Sequence, residues 1–323
     1  MTANLQNPIF TDETKAREWL EARVWPTGPV CPHCGVTSEH VTALYGAKHR
    51  PGLYQCNECR EQFSVTVKTV FERSKLPLSK WLAALFMITA SKKGVSSHHI
   101  HRSLGISYKS AWFMTHRLRE AMRTGGLGPL GGGSGIVEAD ETYFGNAETK
   151  VPSKARKGRP YIHKGGGPAG KRAVVSLVER GGNVRSFHPA MADGATVAKI
   201  VNENIAKEAR FMTDESRLYI KVGAQFKSHE TVTHSHKEYV RGDVHTNTIE
   251  GYFSIFKRGM KGVYQHCSEK HLHRYLAEFD FRYNARVRLG YNDLMRAELL
   301  AAGIKGKRLT YRRPNGKGSL QAH

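Results

Sequence analysis

The apolar positions of the first 90 residues predict two helices separated by a polar stretch that contains cysteines. A short amphipathic helix lies within residues 1–25, where apolar residues recur at helical spacing on one face. Another helix starts near Ser79, which can cap it, and its apolar residues continue to Ile88. The helical period is absent from residues 26–68, so that stretch needs a different explanation.

Residues 76–124 have the outline of a helix-turn-helix. A short helix capped by Ser96 or Ser97 ends at Gly105, and a longer helix starts at Ser107. Helix-turn-helix domains place the second of two such helices in a DNA groove, so we predict DNA contact through basic residues of the longer helix. These residues are Lys109, Arg117 and Arg119. The alternative is a small helical spacer whose basic residues are only solvated.

The second half of the chain alternates between strand and helix patterns. A glycine-rich linker over residues 125–135 separates it from the helical region. Three successive strands, a helix, a fourth strand and two more helices follow. Their predicted positions are 136–144, 173–178, 184–189, 196–206 and 210–213, with the last helices starting near Asn247 and Ser268. This order is typical of an RNase H-like α/β domain, which we place at residues 136–290.

Two segments of the second half are unusually basic. Residues 146–172 contain eight Lys or Arg and one acid, and we expect a mobile loop there between the first and second strands. The chain from Ile304 onward contains six Lys or Arg and no acid, and we assign residues 291–323 to a basic C-terminal tail. Both segments are expected to be solvated, and their positive charge favours contact with phosphate groups.

Four of the five cysteines have the spacing of a zinc site. Two C-x2-C pairs are separated by 21 residues: Cys31, Cys34, Cys56 and Cys59. Two-residue spacing lets both sulfurs of a tight turn face one tetrahedral ion, so we predict one structural Zn²⁺ in a zinc ribbon over residues 26–68. Short strands at 52–55 and 62–67 complete the ribbon. A redox pair of C-x-x-C units is the alternative, but no surrounding βαβ pattern supports it. Cys267 stands apart as an ordinary thiol.

The charge of the chain favours nucleic acid over other classes of partner. Fifty Lys and Arg against 28 Asp and Glu give a formal net charge of +22 and a pI near 9.9. Such a chain binds polyanions by releasing their condensed counterions, whereas membrane surfaces and acidic proteins are weaker alternatives. No apolar run approaches the ~18–20 residues of a membrane span, and residues 1–25 lack the features of a signal peptide. We therefore expect a cytoplasmic, nucleoid-associated protein.

Three acidic residues occupy the positions that phosphodiester cleavage needs in an RNase H-like domain. In that reaction, two divalent ions about 3.5–4 Å apart are held by converging carboxylates. The first strand supplies Asp140, the end of the fourth strand supplies Asp214, and a later helix supplies Glu250. Glu138 shares a strand face with Asp140, whereas Glu141 points to the opposite face.

Two of these assignments have structural alternatives. Asp214 could only start a turn. Asn247 and Glu250 have the spacing of a capping box, so Glu250 could only close the start of a helix. Helical spacing also puts Asn247, Glu250 and Lys257 on one face, which suits metal binding and phosphate contact. A separate apolar stripe faces the core: Ile249, Phe253 and Phe256.

Longer motifs surround these residues. They are Asp140-Glu141-Thr142-Tyr143-Phe144-Gly145, the segment from His245 to Gly251 followed by Lys257-Arg258-Gly259, and the segment from Arg274 to Asn284. Together they resemble the transposases of the ISXO-like bacterial insertion sequences, which are relatives of the eukaryotic Merlin elements. The resemblance covers nearly the whole chain, because that family also carries an N-terminal zinc ribbon and a helical DNA-binding region.

The resemblance implies a DDE-type DNA transposase in which Asp140, Asp214 and Glu250 bind two catalytic Mg²⁺ or Mn²⁺ ions. The 35 residues between Asp214 and Glu250 are a spacing familiar in DDE enzymes. Lys257 matches a lysine that contacts transposon-end DNA, and Arg258 lies beside it. In parts of the group an asparagine is the third member of the triad, so Asn247 is kept as an alternative metal ligand.

The same resemblance implies the partners and the reaction. The protein would bind terminal inverted repeats, cleave there with water to expose a 3′-OH, and let that hydroxyl attack target DNA. Two ends must react together, so we expect a homodimer or a higher oligomer on DNA and no small-molecule substrate.

Two other functions are compatible with parts of the sequence. A catalytically silent zinc-ribbon DNA-binding protein would keep the basic charge but would not need the three acids. A nuclease or resolvase of the RNase H fold would cut DNA without strand transfer. An RNA-modifying enzyme is disfavoured, because the sequence contains neither a P-loop nor a G-x-G-x-x-G motif after a strand.

Overall fold

The computed structural model describes residues 6–146, 170–236 and 238–310. The described chain divides into two compact units. The first contains residues 6–90, 96–122 and 293–310, and the second contains residues 91–95 and the described part of 123–292. Most of the predicted basic loop and the end of the predicted basic tail lie outside the described residues.

The secondary structure follows the predicted order, with several additional elements. The helices are α1 (Glu13–Val24), α2 (Leu78–Ala90), α3 (Ser97–Leu104), α4 (Tyr108–Met122), α5 (Gly194–Asn204), α6 (Arg217–Gly223), α7 (Asn247–Gly259), α8 (Leu272–Asn284) and α9 (Asp293–Ala302). The strands are β1 (Val41–Leu44), β2 (Leu53–Cys56), β3 (Gln62–Phe63), β4 (Ile136–Asn146), β5 (Lys171–Glu179), β6 (Val184–Phe187), β7 (Arg210–Thr213), β8 (Ser228–Thr231), β9 (Val240–Arg241) and β10 (Val244–His245). None of these helices has the length and apolar character of a membrane span.

The zinc-ribbon region of the first unit is a three-stranded antiparallel sheet in the order β1-β2-β3. Its core is aromatic. Trp25 packs edge-on against Tyr54 and Phe63, with ring centroids 5.4 and 5.8 Å away. The strands predicted at 52–55 and 62–67 are found at 53–56 and 62–63, and β1 is an addition to the prediction.

Helix α2 is buried along most of its length in the first unit. Ser79, the predicted cap, lies inside the first turn of the helix. The backbone N–H groups of Leu78 and Ser79 donate instead to the Glu13 carboxylate, at 2.6 and 3.0 Å. The cap therefore comes from α1, 65 residues earlier in the chain, and no local pattern reveals it.

Helices α3 and α4 begin and end where the sequence predicts. The Ser96 Oγ accepts a hydrogen bond from the His99 N–H at 3.1 Å, and Gly105 ends α3 at a φ of +58°. The Ser107 Oγ accepts from the Ser110 N–H at 3.1 Å and so caps α4. Most of α4 after its first turn is buried, so only the start of the helix is well exposed.

Helix α9 lies within the predicted C-terminal tail. It packs against α2 in the first unit. Arg296 Nε donates to the carbonyl of Thr89 at 3.0 Å, and Arg23 Nη2 pairs with Glu298 at 2.6 Å. The helix also buries apolar residues on one side: Ala297, Leu300 and Ala301. The basic composition after residue 304 hid this short amphipathic pattern.

The second unit is built on a five-stranded mixed sheet in the order β6-β5-β4-β7-β8. Strands β4, β5 and β6 are antiparallel neighbours, β7 is parallel to β4, and β8 is parallel to β7. Strands β4 to β7 and helix α5 lie within a few residues of their predicted positions. Helix α6, strand β8 and the short β9-β10 hairpin are additions.

Side chains alternate between the two faces of this sheet, and each face has its own core. One face packs Val137, Ala139 and Phe211 against α5 and α6. The other packs Val174 and Val178 against α7 and α8. Strand β4 contributes to both cores, so its neighbouring acids are directed to different helices.

The last part of the predicted linker is built into the second unit. Leu130 is buried, its N–H donates to the Asn204 carbonyl at 2.8 Å, and its carbonyl accepts from the Ala206 N–H at 2.9 Å. Gly131 has a φ of +76°, and a Cβ there would lie 2.7 Å from the Val137 side chain. The backbone at residue 131 can therefore approach β4 this closely only because the residue is a glycine. The glycine-rich composition of the linker had suggested only flexibility.

Helix α8 covers the edge strand β6 through polar side chains. The Asn284 side chain accepts from the Val184 N–H at 2.7 Å and donates to its carbonyl at 3.0 Å. Asp280 accepts from the N–H and the hydroxyl of Ser186 at 2.8 and 2.7 Å. Burial raises the pKa of Asp280 to about 6. These bonds cover part of the free edge of the sheet and explain Asp280 and Asn284 in the Arg274–Asn284 motif.

Candidate active site and zinc centre

The four cysteines of the two C-x2-C pairs converge in the ribbon. All four Sγ atoms lie within 4.8 Å of one another, with Cys31 and Cys59 3.7 Å apart and Cys34 and Cys56 3.5 Å apart. A tetrahedral Zn²⁺ with Zn–S bonds of about 2.3 Å needs sulfurs about 3.8 Å apart. The donor set and its spacing therefore fit a structural zinc ion, and Cys267 is not part of the cluster.

Each cysteine pair lies on a tight turn with the same backbone conformation. Gly35 follows the first pair at a φ of +84°, and Arg60 follows the second at +61°. The Gly35 N–H donates to the Cys31 carbonyl at 2.9 Å, which closes the first turn. The sequence suggested a glycine only for the first turn. Arg60 adopts the left-handed conformation without one, at a cost of about 1–2 kcal/mol.

The parallel register of β4 and β7 puts two predicted carboxylates side by side. Glu138 is paired with Met212. Two residues further along, the same register brings Asp140 opposite Asp214, on the sheet face that Glu138 also occupies. Asp214 directly follows β7, and its Oδ1 accepts from the Ser216 N–H at 3.0 Å. Asp214 therefore forms the turn that was its alternative role, and it also lies beside Asp140.

The surroundings of Asp140 oppose its ionisation. Burial, followed by the charges of Asp214 and Glu141, raises the pKa of Asp140 from 3.8 to about 8, and Glu250 contributes in the same direction. A hydrogen bond from the Glu141 N–H to Asp140 Oδ1, at 2.7 Å, opposes this rise only in part. The acids therefore lie close enough to repel one another, and a bound cation would relieve that repulsion.

Glu141 points to the opposite face of the sheet, as predicted. Its carboxylate accepts from the Tyr219 hydroxyl at 2.9 Å and from the Ser216 hydroxyl at 3.3 Å. Burial raises the pKa of Glu141, although these hydrogen bonds favour its ionised form. Ser216 also binds Asp214, so Glu141 connects the loop that carries Asp214 to strand β4.

Glu250 lies in the first turn of α7 and is exposed. Its Oε1 accepts from the Thr246 hydroxyl at 3.2 Å and lies 3.7 Å from His234 Nε2. Thr246 is the N-cap of α7, and Asn247 is the first residue of the helix. The capping box between Asn247 and Glu250, left open by the sequence, is therefore not formed.

The start of α7 is held by Glu138, a role that the sequence did not reveal. Glu138 is fully buried. Its Oε2 accepts from the Ile249 N–H at 2.9 Å, and its Oε1 accepts from the Thr248 hydroxyl at 2.8 Å. Arg180 Nε donates to the same Oε1 at 2.5 Å. The cluster of acids at 138–141 was the available signal in the sequence, but the cationic partner of Glu138 lies 42 residues away.

The other predicted residues of α7 lie along its solvent side. Asn247 is exposed, and its N–H donates to His245 Nδ1 at 3.3 Å. Lys257 is half-buried, two turns after Glu250, and Arg258 is exposed and donates to a carbonyl one turn earlier at 3.2 Å. The apolar stripe is buried as predicted: Ile249, Phe253 and Phe256.

Of the three basic residues predicted to contact DNA from α4, Lys109 is exposed but the two arginines are not. Arg117 is buried, and its guanidinium donates to the carbonyls of Glu72 and Leu309 at 3.0 and 3.1 Å. Arg119 is fully buried and donates to a threonine hydroxyl one turn earlier at 3.2 Å. This placement corrects the prediction, because both guanidinium groups bind the first unit itself and do not face DNA.

The acids of the second unit offer the oxygen ligands that Mg²⁺ and Mn²⁺ prefer. Among the described residues, Asp140, Asp214 and Glu250 are not grouped as compactly as the four sulfurs. The charges of Asp214, Glu141 and Glu250 all act on Asp140, so the donor set suits divalent cations.

Comparison with known families identifies both parts of the chain. Residues 11–62 match the family model of a transposase zinc-ribbon domain. Residues 133–284 match the model of an ISXO2-like transposase domain. The first match contains all four clustered cysteines, and the second contains Asp140, Asp214 and Glu250.

Individual proteins are also similar to the chain. A protein of Halobacterium salinarum, described as an uncharacterized protein in transposable element ISH50, is 29% identical over 279 residues, which cover 84% of this chain and 91% of the relative. Two solved structures, a Mos1 strand transfer complex and a pre-cleavage Mos1 transpososome, are each 12% identical and cover 65% of this chain and 77% and 78% of theirs, with TM-scores of 0.22 and 0.23. The chain thus carries a transposase zinc-ribbon domain and an ISXO2-like transposase domain, and it is a DNA transposase.

Proposed function

We propose that this transposase cleaves and joins DNA at the ends of its insertion sequence with two Mg²⁺ or Mn²⁺ ions bound by Asp140, Asp214 and Glu250. The main support is the register of β4 and β7, which sets Asp140 beside Asp214. The charge of Glu250 also acts on Asp140. Two-metal phosphodiester chemistry needs such a convergence of carboxylates.

The side chains around the three acids suggest how the site would work. When bound, the ions would activate the attacking water or 3′-hydroxyl and stabilise the leaving oxygen of the phosphodiester. Asp140 would be fully ionised at neutral pH only beside cations, because burial and the neighbouring acids favour its protonated form. Ser216 and Glu141 would hold the loop that carries Asp214. Lys257 would bind a phosphate of the transposon end.

We further propose that the second unit contains an RNase H-like DDE domain and that α3 and α4 form a helix-turn-helix. The order of elements from 136 to 284, the mixed sheet and the helices on both of its faces support the first assignment. The glycine-containing turn between α3 and α4 supports the second. The helix-turn-helix and the zinc ribbon would together recognise the terminal inverted repeats.

Exposed basic residues are the proposed DNA contacts. Lys109 on α4 and Arg258 on α7 are two of them. The turn between β1 and β2 is a third region, where Tyr45 is 86% exposed and both Lys48 and Arg50 are exposed. Basic side chains neutralise phosphates, and an exposed aromatic ring can stack on a base. Because two element ends must react together, a homodimer or a larger assembly on DNA is proposed as the active form.

A labelled duplex that carries the element's own terminal repeat tests the proposal. The full-length, zinc-loaded protein is incubated with this duplex and a target plasmid with Mg²⁺, with Mn²⁺ or with neither ion added. We expect nicking at the repeat end and joined products that require a divalent ion. Both products should vanish in Asp214→Ala, whereas Glu203→Ala, which changes an exposed acid on α5, should behave like the wild type.

The other outcomes of this assay identify the two rival functions. Binding without cleavage, equal in the wild type and Asp214→Ala, would leave a zinc-ribbon DNA-binding protein. Metal-dependent cleavage without joined products would indicate a nuclease.

Two substitutions in α7 decide which residue is the third metal ligand. A carboxylate offsets divalent charge and an amide does not, so Glu250→Gln is expected to slow cleavage on the order of 100-fold or more. Asn247→Ala is expected to slow it by no more than about tenfold, as for a residue near the ligands. Single-turnover cleavage rates at saturating Mn²⁺ measure both effects. If Asn247→Ala has the larger effect, Asn247 is the ligand.

A further inference from the structure

Arg180 joins several elements of the second unit through one guanidinium group. The residue follows β5, its backbone N–H donates to the Ile136 carbonyl at 2.9 Å, and its side chain is 17% exposed. Nε donates to Glu138 Oε1 at 2.5 Å, and Nη1 donates to the Asp243 carbonyl at 2.6 Å. Nη2 donates to the His245 carbonyl at 2.8 Å and contacts Met212 Sδ at 3.1 Å.

Three of these contacts lie next to the three acids of the site. Glu138 is two residues before Asp140 on β4, and Met212 is two residues before Asp214 on β7. His245 is five residues before Glu250, in the strand that leads into α7. The guanidinium therefore contacts the strand that carries Asp140, the strand that Asp214 directly follows and the strand that leads into α7.

Glu138 extends this connection to the helix that carries Glu250. It accepts from the Ile249 N–H and the Thr248 hydroxyl in the first turn of α7. A fully buried carboxylate is stable only when it is paired and its oxygens are hydrogen-bonded. Arg180 supplies the pairing charge, and the helix start supplies the remaining donors. The start of α7 is thus fixed to β4 at a point two residues from Asp140.

We infer that Arg180 is a positioning residue that sets the distances between Asp140, Asp214 and Glu250, acting through Glu138, Met212 and His245. The inference rests on the proposed function of those three acids as metal ligands. Only a guanidinium has donors on three nitrogens in one rigid plane, so it can reach acceptors on three elements at once. Lysine keeps the charge but carries all its donors on one nitrogen, so it cannot hold the same set of contacts.

The test compares Arg180→Lys with Arg185→Lys in the full-length protein. Arg185 lies in the same unit and is also half-buried, and it binds Asn204 and the Gly128 carbonyl, away from the acids. Cleavage of the terminal-repeat duplex is measured as a function of Mn²⁺ concentration, together with duplex binding and Tm of the zinc-loaded protein without added Mn²⁺. For Arg180→Lys we expect cleavage at limiting Mn²⁺ to fall on the order of 10- to 100-fold, as for other groups that orient metal ligands. High Mn²⁺ should restore part of that loss, with duplex binding unchanged.

A purely structural role gives a different result, because extra Mn²⁺ would not restore activity and both lysine variants would lose cleavage in proportion to Tm. That result, or wild-type Mn²⁺ dependence in Arg180→Lys, would overturn the inference. Glu138→Gln is a second variant that keeps the side-chain shape, and we expect it to raise the Mn²⁺ requirement in the same direction. Asp214→Ala is measured in parallel. If it cleaves normally, the proposed function fails; if it is inactive while Arg180→Lys matches Arg185→Lys, only the inference about Arg180 fails.

Discussion

Asp140→Asn is expected to abolish DNA cleavage and, at the same time, to stabilise the protein when no Mg²⁺ or Mn²⁺ is bound. The loss of cleavage should be on the order of 10⁴-fold or more, because Asp140 would act as one member of a catalytic unit. The gain in stability follows from its surroundings. Burial and the charges of Asp214 and Glu141 raise the pKa of Asp140 to about 8, so its ionised form is unfavourable in the folded protein. Asparagine keeps the shape and removes the charge.

The stability effect of Asp140→Asn depends on pH in a defined direction. Between its ordinary pKa of 3.8 and about 8, Asp140 stays protonated in the folded protein but ionises in the unfolded chain. The folded wild type therefore loses stability as pH rises through this window, and the full penalty is present above it. At pH 7 the penalty is on the order of a few kcal/mol. The advantage of the asparagine variant should be small near pH 4 and largest near pH 8.

Thermal unfolding of the zinc-loaded protein, without added Mg²⁺ or Mn²⁺, at pH 5 and pH 8 measures this difference. Asp193→Asn is the control, because Asp193 is an exposed N-cap whose pKa is lowered by the Thr196 N–H and hydroxyl. A carboxyl group whose pKa is lowered in the folded protein stabilises the fold at neutral pH. Asp193→Asn should therefore lower Tm slightly or leave it unchanged. If Asp140→Asn lowers Tm at pH 8, or if it cleaves DNA, Asp140 is not a strained metal ligand.

Where local patterns decide the structure, the sequence was sufficient. The caps at Ser96 and Ser107, the glycine end of α3 and the bounds of β7 are encoded by residues within a few positions of each other. The juxtaposition of Asp140 and Asp214 followed from the predicted order of strands. The cluster of four cysteines followed from their spacing alone.

Where distant residues decide the structure, local patterns did not reveal it. Arg117 and Arg119 have the composition of a DNA-binding helix, yet carbonyls 45 and 192 residues from Arg117 bind its guanidinium inside the first unit. The cap of α2 comes from Glu13 for the same reason. Arg180 lies directly before the glycine-containing turn at 181–183, and its neighbours in the sequence give no sign of its contacts. Its partners at 138, 212 and 245 become neighbours only once the sheet is assembled.

Cys56→Ser is expected to remove zinc from the protein and unfold the ribbon. The ribbon strands contain only four, four and two residues. A core this small does not offset the loss of chain entropy without a metal. Structural zinc ions supply about 10–16 kcal/mol in small domains at pH 7. Cys56 is fully buried, and its Sγ is 3.5 Å from that of Cys34, so a serine there leaves the remaining sulfurs without a closed site.

Zinc content per chain, limited proteolysis and binding to the terminal-repeat duplex measure the effect of Cys56→Ser. We expect less than about one tenth of a zinc ion per chain, new cleavage sites between residues 26 and 68, and loss of specific binding. Cys267→Ser is the matched control, since Cys267 is also buried but lies outside the cluster, and it should retain one zinc ion. The second unit has its own cores, so its unfolding transition should survive in Cys56→Ser. A zinc-free ribbon that resists protease and still binds the repeat would show that the aromatic core around Trp25 is sufficient without the metal.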